Sequence, residues 1–180
     1  MAIKQFNLND GQRAERKLLV TVAEWEEPTD GTTGTEKVRE LLGRRTPDSS
    51  IEYNVDQEDS TDVLGINYTD VNKTQPTQSF DPFLILGGSR LGAYLNDIRR
   101  RNALSELTGA FTIYEIDLFI GDDTNGYEAT KQEECTITYE SIGGESNVNF
   151  PITVHFSNKI TTGKVDKFGI DFVFTPDVNI

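Results

Sequence analysis

One histidine, one cysteine and thirty carboxylates are what this 180-residue chain offers to chemistry. A Ser-His-Asp mechanism needs an imidazole to carry the proton, so it would have to use His155. That residue lies on the polar side of an alternating stretch, 148–156, and no G-x-S-x-G signal accompanies it. Cys135 alternates with Ile137 and Tyr139, the pattern of a small buried apolar residue. A Cys/His metal cluster is excluded by the single copy of each. Glycosidase-type carboxylate pairs or an oxygen-ligand magnesium site can be drawn from thirty acids, but at that density such pairs arise by chance. Asp122-Asp123-Thr124-Asn125-Gly126 has part of a calcium loop's spacing without its closing Glu and reads as a turn. Gly87-Gly88 and Gly92 do not make a dinucleotide fingerprint, and there is no P-loop. The expectation is a non-enzyme without metal or cofactor.

Arg99-Arg100-Arg101 is the one dense cationic motif. At a helix end it complements the helix dipole, and it also suits an ion pair with an acidic patch on a neighbouring subunit. The chain as a whole carries a formal −13, with 26% charged and 36% apolar residues. That balance describes a soluble globular domain and argues against binding nucleic acid or an anionic membrane. No apolar run approaches the ~20 residues of a membrane span, and the first residues lack an apolar signal core. The lone cysteine allows no intramolecular disulfide, as expected of synthesis in a reducing cytosol. Asn67-Tyr68-Thr69 and Asn72-Lys73-Thr74 match the glycosylation triplet and, without a secretion signal, are read as coincidence.

The elements that must position these groups are mostly short strands. Residues 18–25 read as a first strand, and Val38, Leu41 and Leu42 predict a short helix over 35–43. Ile51, Tyr53 and Val55 alternate as a strand, 56–59 read as an acidic turn, and 62–68 read as a strand with Gly65 at a bulge. Residues 51–80 as a whole, with 26–50 as a further contributor, look like a long polar excursion suited to contacts between subunits. Leu91, Leu95 and Ile98 make one helical stripe over 90–104, with Ser89 as N-cap. Strands follow at 112–120, 135–139 and 148–156, the last with Pro151 suggesting an edge or bulge. Thr161-Thr162-Gly163-Lys164 reads as a turn, and Phe168, Ile170, Phe172 and Phe174 as the closing core residues. The predicted class is mainly β with one packed α-helix in a single domain, 1–180.

Three stretches carry a resemblance. They are the acidic arm ending in Gln78-Ser79-Phe80-Asp81-Pro82, the helix with Ile98-Arg99-Arg100-Arg101-Asn102-Ala103 leading into strand 112–120, and the end from Thr162-Gly163-Lys164-Val165-Asp166 to Phe172-Val173-Phe174-Thr175-Pro176. In order, spacing and total length the chain resembles the major tail tube proteins of long-tailed, non-contractile bacteriophages of Gram-positive hosts. The resemblance implies a β-sandwich or partial barrel with one packed helix, and hexameric rings stacked into a tube around a DNA channel. It implies a virion tail assembled in the host bacterial cytoplasm, with tape-measure, distal-tail and tail-terminator proteins as partners. DNA passes without specific binding, and no membrane is involved. By position, residues 51–80 match the loop that reaches the adjacent ring, with Asp56, Glu58, Asp59, Asp62 and Lys73 as contact candidates. No catalytic residue transfers.

Electrostatics fits that implication. Six copies at −13 carry a formal −78 per ring, against duplex DNA with about one negative charge per ~1.7 Å. A repelling wall lets DNA slide, and Glu115, Asp117 and Glu140 are the candidate lumen acids. Two rivals stand beside the tube. A tail-terminator or joining ring protein has the same charge logic but stacks only once. A host- or carbohydrate-binding β-sandwich module would need exposed aromatics, and Trp25 is the only tryptophan.

Overall fold

The computed structural model describes residues 6–28, 34–71 and 74–177. In chain order the strands are β1 (Leu19–Pro28), β2 (Thr35–Leu41), β3 (Ile51–Glu52), β4 (Gln57–Thr61), β5 (Asn67–Val71) and β6 (Thr77–Phe80). The helix α1 (Arg90–Arg101) follows, then β7 (Phe111–Asp122), β8 (Gly126–Tyr139), β9 (Ile152–His155), β10 (Lys159–Val165) and β11 (Phe174–Pro176). All pairings are antiparallel. The main sheet runs β2-β1-β7-β8-β9-β6-β3, with β10 on β8 and β11 beyond it, while β4 and β5 form a separate two-stranded sheet. The chain is mainly β with one packed helix.

Two cores explain the strand patterns. The larger holds Trp25, Val38, Phe80, Phe111, Ile137, Phe150, Ile152 and Val154 around the helix stripe of Leu91, Leu95 and Ile98. The smaller holds Val20, Val22, Tyr114, Ile116, Val165 and Phe172. β1 and β7 serve both, because alternate side chains leave a strand on opposite faces: Phe111 and Ile113 enter the first core, Tyr114 and Ile116 the second. β8 also has two partners on one edge, β10 over 127–133 and β9 over 136–139. Glu134, at φ 58°, sits between the two ladders. Thr21 Oγ1 on β1 donates to Gln78 Oε1 on β6 at 3.0 Å although three strands separate them in the sheet order. The sheet therefore curls back on itself around the helix as a partial barrel.

The helix is fixed at both ends. Ser89 Oγ accepts from Gly92 N at 3.0 Å and donates to Glu40 Oε1 at 2.8 Å, and Glu40 Oε2 accepts from Leu91 N at 2.8 Å. The carboxylate missing from the local capping pattern is thus supplied by β2, where it meets the positive end of the helix dipole. Asn102 closes the helix in the left-handed region at φ 55°, a conformation Asn tolerates.

Several sequence expectations are corrected. Residues 35–41 are strand β2, not helix, because they ladder onto β1 with Val38 opposite Trp25. Residues 57–61 are strand rather than acidic turn, and the turn lies at 62–66, where a strand was expected. Residues 161–164 belong to β10: Gly163 is paired to Ala129 and Pro176 in mid-ladder. Pro151 precedes β9, which is interior with β8 and β6 on its two sides. Val148, Phe168 and Ile170 are exposed, so the closing core residues are Phe172 and, in part, Phe174.

Candidate functional site

The β4–β5 hairpin is the most unusual surface of the molecule. Its strands pair only with each other, and every residue of both is exposed. Residues 56–71 contain five acids and no cation. Glu58 stands directly opposite Asp70, a like-charge pairing that costs stability in a ladder. The tip is well ordered by its own chemistry: Asp62 Oδ1 accepts from Leu64 N at 2.8 Å and Ile66 N at 3.0 Å, and Gly65 turns at φ 77°. The amides of Ile66 and Leu64, together with the Tyr68 hydroxyl, hold the Asp62 carboxyl below its usual range. Asp62 therefore builds the tip. On that tip Val63 is 102% and Leu64 79% exposed. A folded hairpin that offers its largest apolar side chains to water, away from any core, has the form of an insertion element.

Of the other arm candidates, Asp56, Glu58 and Asp59 are exposed at or beside β4, with Asp59 accepting from Thr69 Oγ1 at 2.8 Å. Lys73 lies outside the described residues.

Glu115 and Asp117 share one face of β7. Beyond Ile113 that face leaves the first core and turns polar, and the ladder sets Glu115 beside Thr21 and Thr130, and Asp117 beside Glu128. Burial raises the Glu115 carboxyl to about 7 against a hydrogen bond from Gln132 Nε2 at 3.0 Å, and Asp117 pushes the same way. Burial, then Glu128, raises Asp117 as well. Glu128 was not foreseen as part of this patch; its ion pair with Lys164 is 3.5 Å long. Glu140 is elsewhere, exposed just past the end of β8.

The three arginines divide. Arg101 pairs with Asp97 at 2.7 Å and Glu106 at 2.8 Å, and Arg99 donates to Asn96 Oδ1 at 2.9 Å. Arg100 is exposed and has no polar partner among the described residues.

A second surface was not legible beforehand. Beside the N-terminal end of β1, a groove of about 420 Å³ is rimmed by Arg16, Lys17 and Arg44 and floored by Val20, Leu42 and Phe80. Arg16 Nε donates to the backbone oxygen of Ser49 at 2.9 Å, a neutral acceptor, so its charge is not cancelled there. The sequence signal was two dibasic steps, Arg16-Lys17 and Arg44-Arg45, in an acidic chain.

Chemistry elsewhere is sparse. His155 is half-buried, 3.0 Å from Thr138 Oγ1. Cys135 is buried, and burial pushes its thiol pKa up. Asp122 accepts from Thr124 and Asn125 amides at 2.8 Å, as a turn residue does. Trp25 is 2% exposed, which removes it as a sugar-stacking platform. Among the described residues no group of three or more His, Cys, Asp or Glu is placed to hold a metal, and no helix is long and apolar enough to cross a membrane.

No protein-family model and no curated protein matches the chain. Among solved structures it is similar to a chain in the cryo-electron microscopy structure of the anti-feeding prophage baseplate, six-fold symmetrised. The identity is 9% and the TM-score 0.44, covering 87% of this chain and 99% of that one.

Proposed function

We propose that this protein is a non-enzymatic structural subunit of a bacteriophage tail, the tube-forming kind, whose copies close into hexameric rings and stack around an acidic DNA channel. The observation that carries the proposal is the β4–β5 hairpin, an ordered arm with an apolar tip that packs on no core of its own subunit. The patch of Asp117 and Glu128, which Glu115 joins in charge only as it ionises near pH 7, is the channel wall in this reading, and Arg100 is the cation left for a neighbour. Tape-measure, distal-tail and terminator proteins are the expected further partners, and the virion tail is its place.

Negative-stain electron microscopy of the purified protein, fresh and after concentration, tests the proposal. Hollow tubes or stacked rings are expected. Closed single rings that never stack would assign the chain to the terminator class instead, and monomers at every concentration would remove self-assembly from the proposal.

A further inference from the structure

The geometry points to the groove rimmed by Arg16, Lys17 and Arg44 as the receptor for the β4–β5 hairpin tip of a second copy of this chain. The inference rests on the stacking proposal and adds the surface that receives the arm.

Charge complementarity carries it. The hairpin and the residue before it hold five acids and no cation. The groove lining holds Arg16, Lys17 and Arg44 against one carboxylate, Asp48. Lys17 is already paired with Glu15 at 2.5 Å, so Arg16 and Arg44 are the cations left for a partner in a chain with a formal −13. Arg44 has no polar partner among the described residues. The facing pair Glu58 and Asp70 has no cation between its strands, and a groove rim of arginines supplies one. Shape agrees with charge. The floor residues Val20, Leu42 and Phe80 are 7%, 6% and 1% exposed, so an apolar bottom lies under a cationic rim. The hairpin has the inverse arrangement, with apolar Val63 and Leu64 at the end of an acidic shaft. The volume of about 420 Å³ is that of a pocket able to enclose a few side chains. Five-residue strands reach about 17 Å, enough for the tip to leave its own subunit.

Single-cysteine variants of the full chain test this, since Cys135 is buried and stays out of the reaction. Leu64→Cys and Pro47→Cys chains, one carrying a size tag, are mixed at high concentration and oxidised. Pro47 lies on the groove wall. A covalent dimer between the two is expected, with yield falling as salt is raised. It should be lost when Arg44→Glu is added and absent when Ser105→Cys, at the far end of the helix segment, replaces Pro47→Cys. No Leu64–Pro47 product while tubes or stacked rings still form overturns the groove and leaves the stacking proposal standing. No product and no assembly overturns both. A Leu64→Cys, Pro47→Cys double variant that closes only within one chain shows the groove holding its own hairpin, which also overturns the inference.

Discussion

Arg39 Nε lies 2.6 Å from Glu24 Oε2, and the two residues face each other across the β1–β2 ladder. Glu24 is 4% exposed. The same guanidinium lies 4.3 Å from the ring centre of Phe172 and donates to that residue's backbone oxygen at 2.6 Å. One ion pair therefore binds the edge hairpin to the C-terminal segment. Removing one member of a buried pair strands a charge, at about 3–5 kcal/mol, and Lys37, 3.3 Å from the other Glu24 oxygen, keeps the loss near the low end. Arg39→Met should lower the urea midpoint accordingly, and adding Glu24→Gln should recover most of it. A double variant no better than the single one would show that packing, not charge, fails.

Stability should fall as pH rises from about 4.5 to about 7. The folded Glu115 carboxyl keeps its proton to about pH 7, while the unfolded one releases it near 4.5. Between those values the native state binds more protons, so stability declines with rising pH and levels off above. The span of about 2.5 pH units corresponds to at most roughly 3.5 kcal/mol at about 1.4 kcal/mol per pH unit. Glu115→Gln should be more stable than the parent at pH 8, and its stability should vary less from pH 5 to 7.5. Asp117, raised in the same sense, leaves a residual slope. Equal slopes in parent and variant would contradict this.

Gly163→Ala should detach β11. A Cβ there would meet Thr175 O at 2.3 Å and Pro176 Cα at 2.9 Å, both backbone, so a strand must move. Amide exchange at Phe174, Thr175 and Asp177, the last bonded to Thr162 O at 2.9 Å, is expected to accelerate, with the Tyr114–Phe172 ring contact, 4.9 Å between centres, loosened behind it. Unchanged exchange at those amides would mean that the strand accommodates the methyl.

Replacing residues 58–70 by an Asn-Gly turn should leave the circular dichroism melt of the body where it was. The hairpin contributes no buried residue, and Gln57 already faces Val71. Stacking should be lost. An unfolded variant would show that the arm belongs to the body.

Arg100→Glu should leave the unfolding midpoint in place and disrupt ring formation in sedimentation velocity. Arg101→Gln should do the reverse, because Asp97 and Glu106 already take its guanidinium. Rings that survive Arg100→Glu remove that residue from the subunit contact.

The helix and the long strands were legible because their patterns are local. Leu91, Leu95 and Ile98 fix a helical face whatever surrounds them, and Tyr114, Ile116, Leu118 and Ile120 alternate within 112–120. β2 misled because most of an edge strand is exposed: only Val38 is deeply buried in it, and three apolar residues at helical spacing outweighed the alternation. At 62–65, Asp-x-x-Gly turn chemistry was present, but the apolar Val63, Leu64 and Ile66 suggested a strand, since sequence patterns assume that apolar residues seek their own core. Gly163 looked like a turn because nothing local announces that another backbone lies against it. The groove joins Arg16 to Arg44 through the β1–β2 hairpin, a proximity set by topology alone. Glu115 and Asp117 were picked out by alternation, whereas Glu128 joins them only through the β7–β8 register.

The length of β7 and β8, 12 and 14 residues, has a mechanical side. Pulled along its strands, the body is loaded in shear, and many ladder bonds must break together. The β4–β5 hairpin, held at its tip and pulled through both ends together, carries the load in two strands side by side, so its five rungs are hardly stressed. In a stack joined through such arms, neither the long ladders of the body nor the shaft of the arm would yield first, and the tube's tensile limit would be set by the grip on the tip.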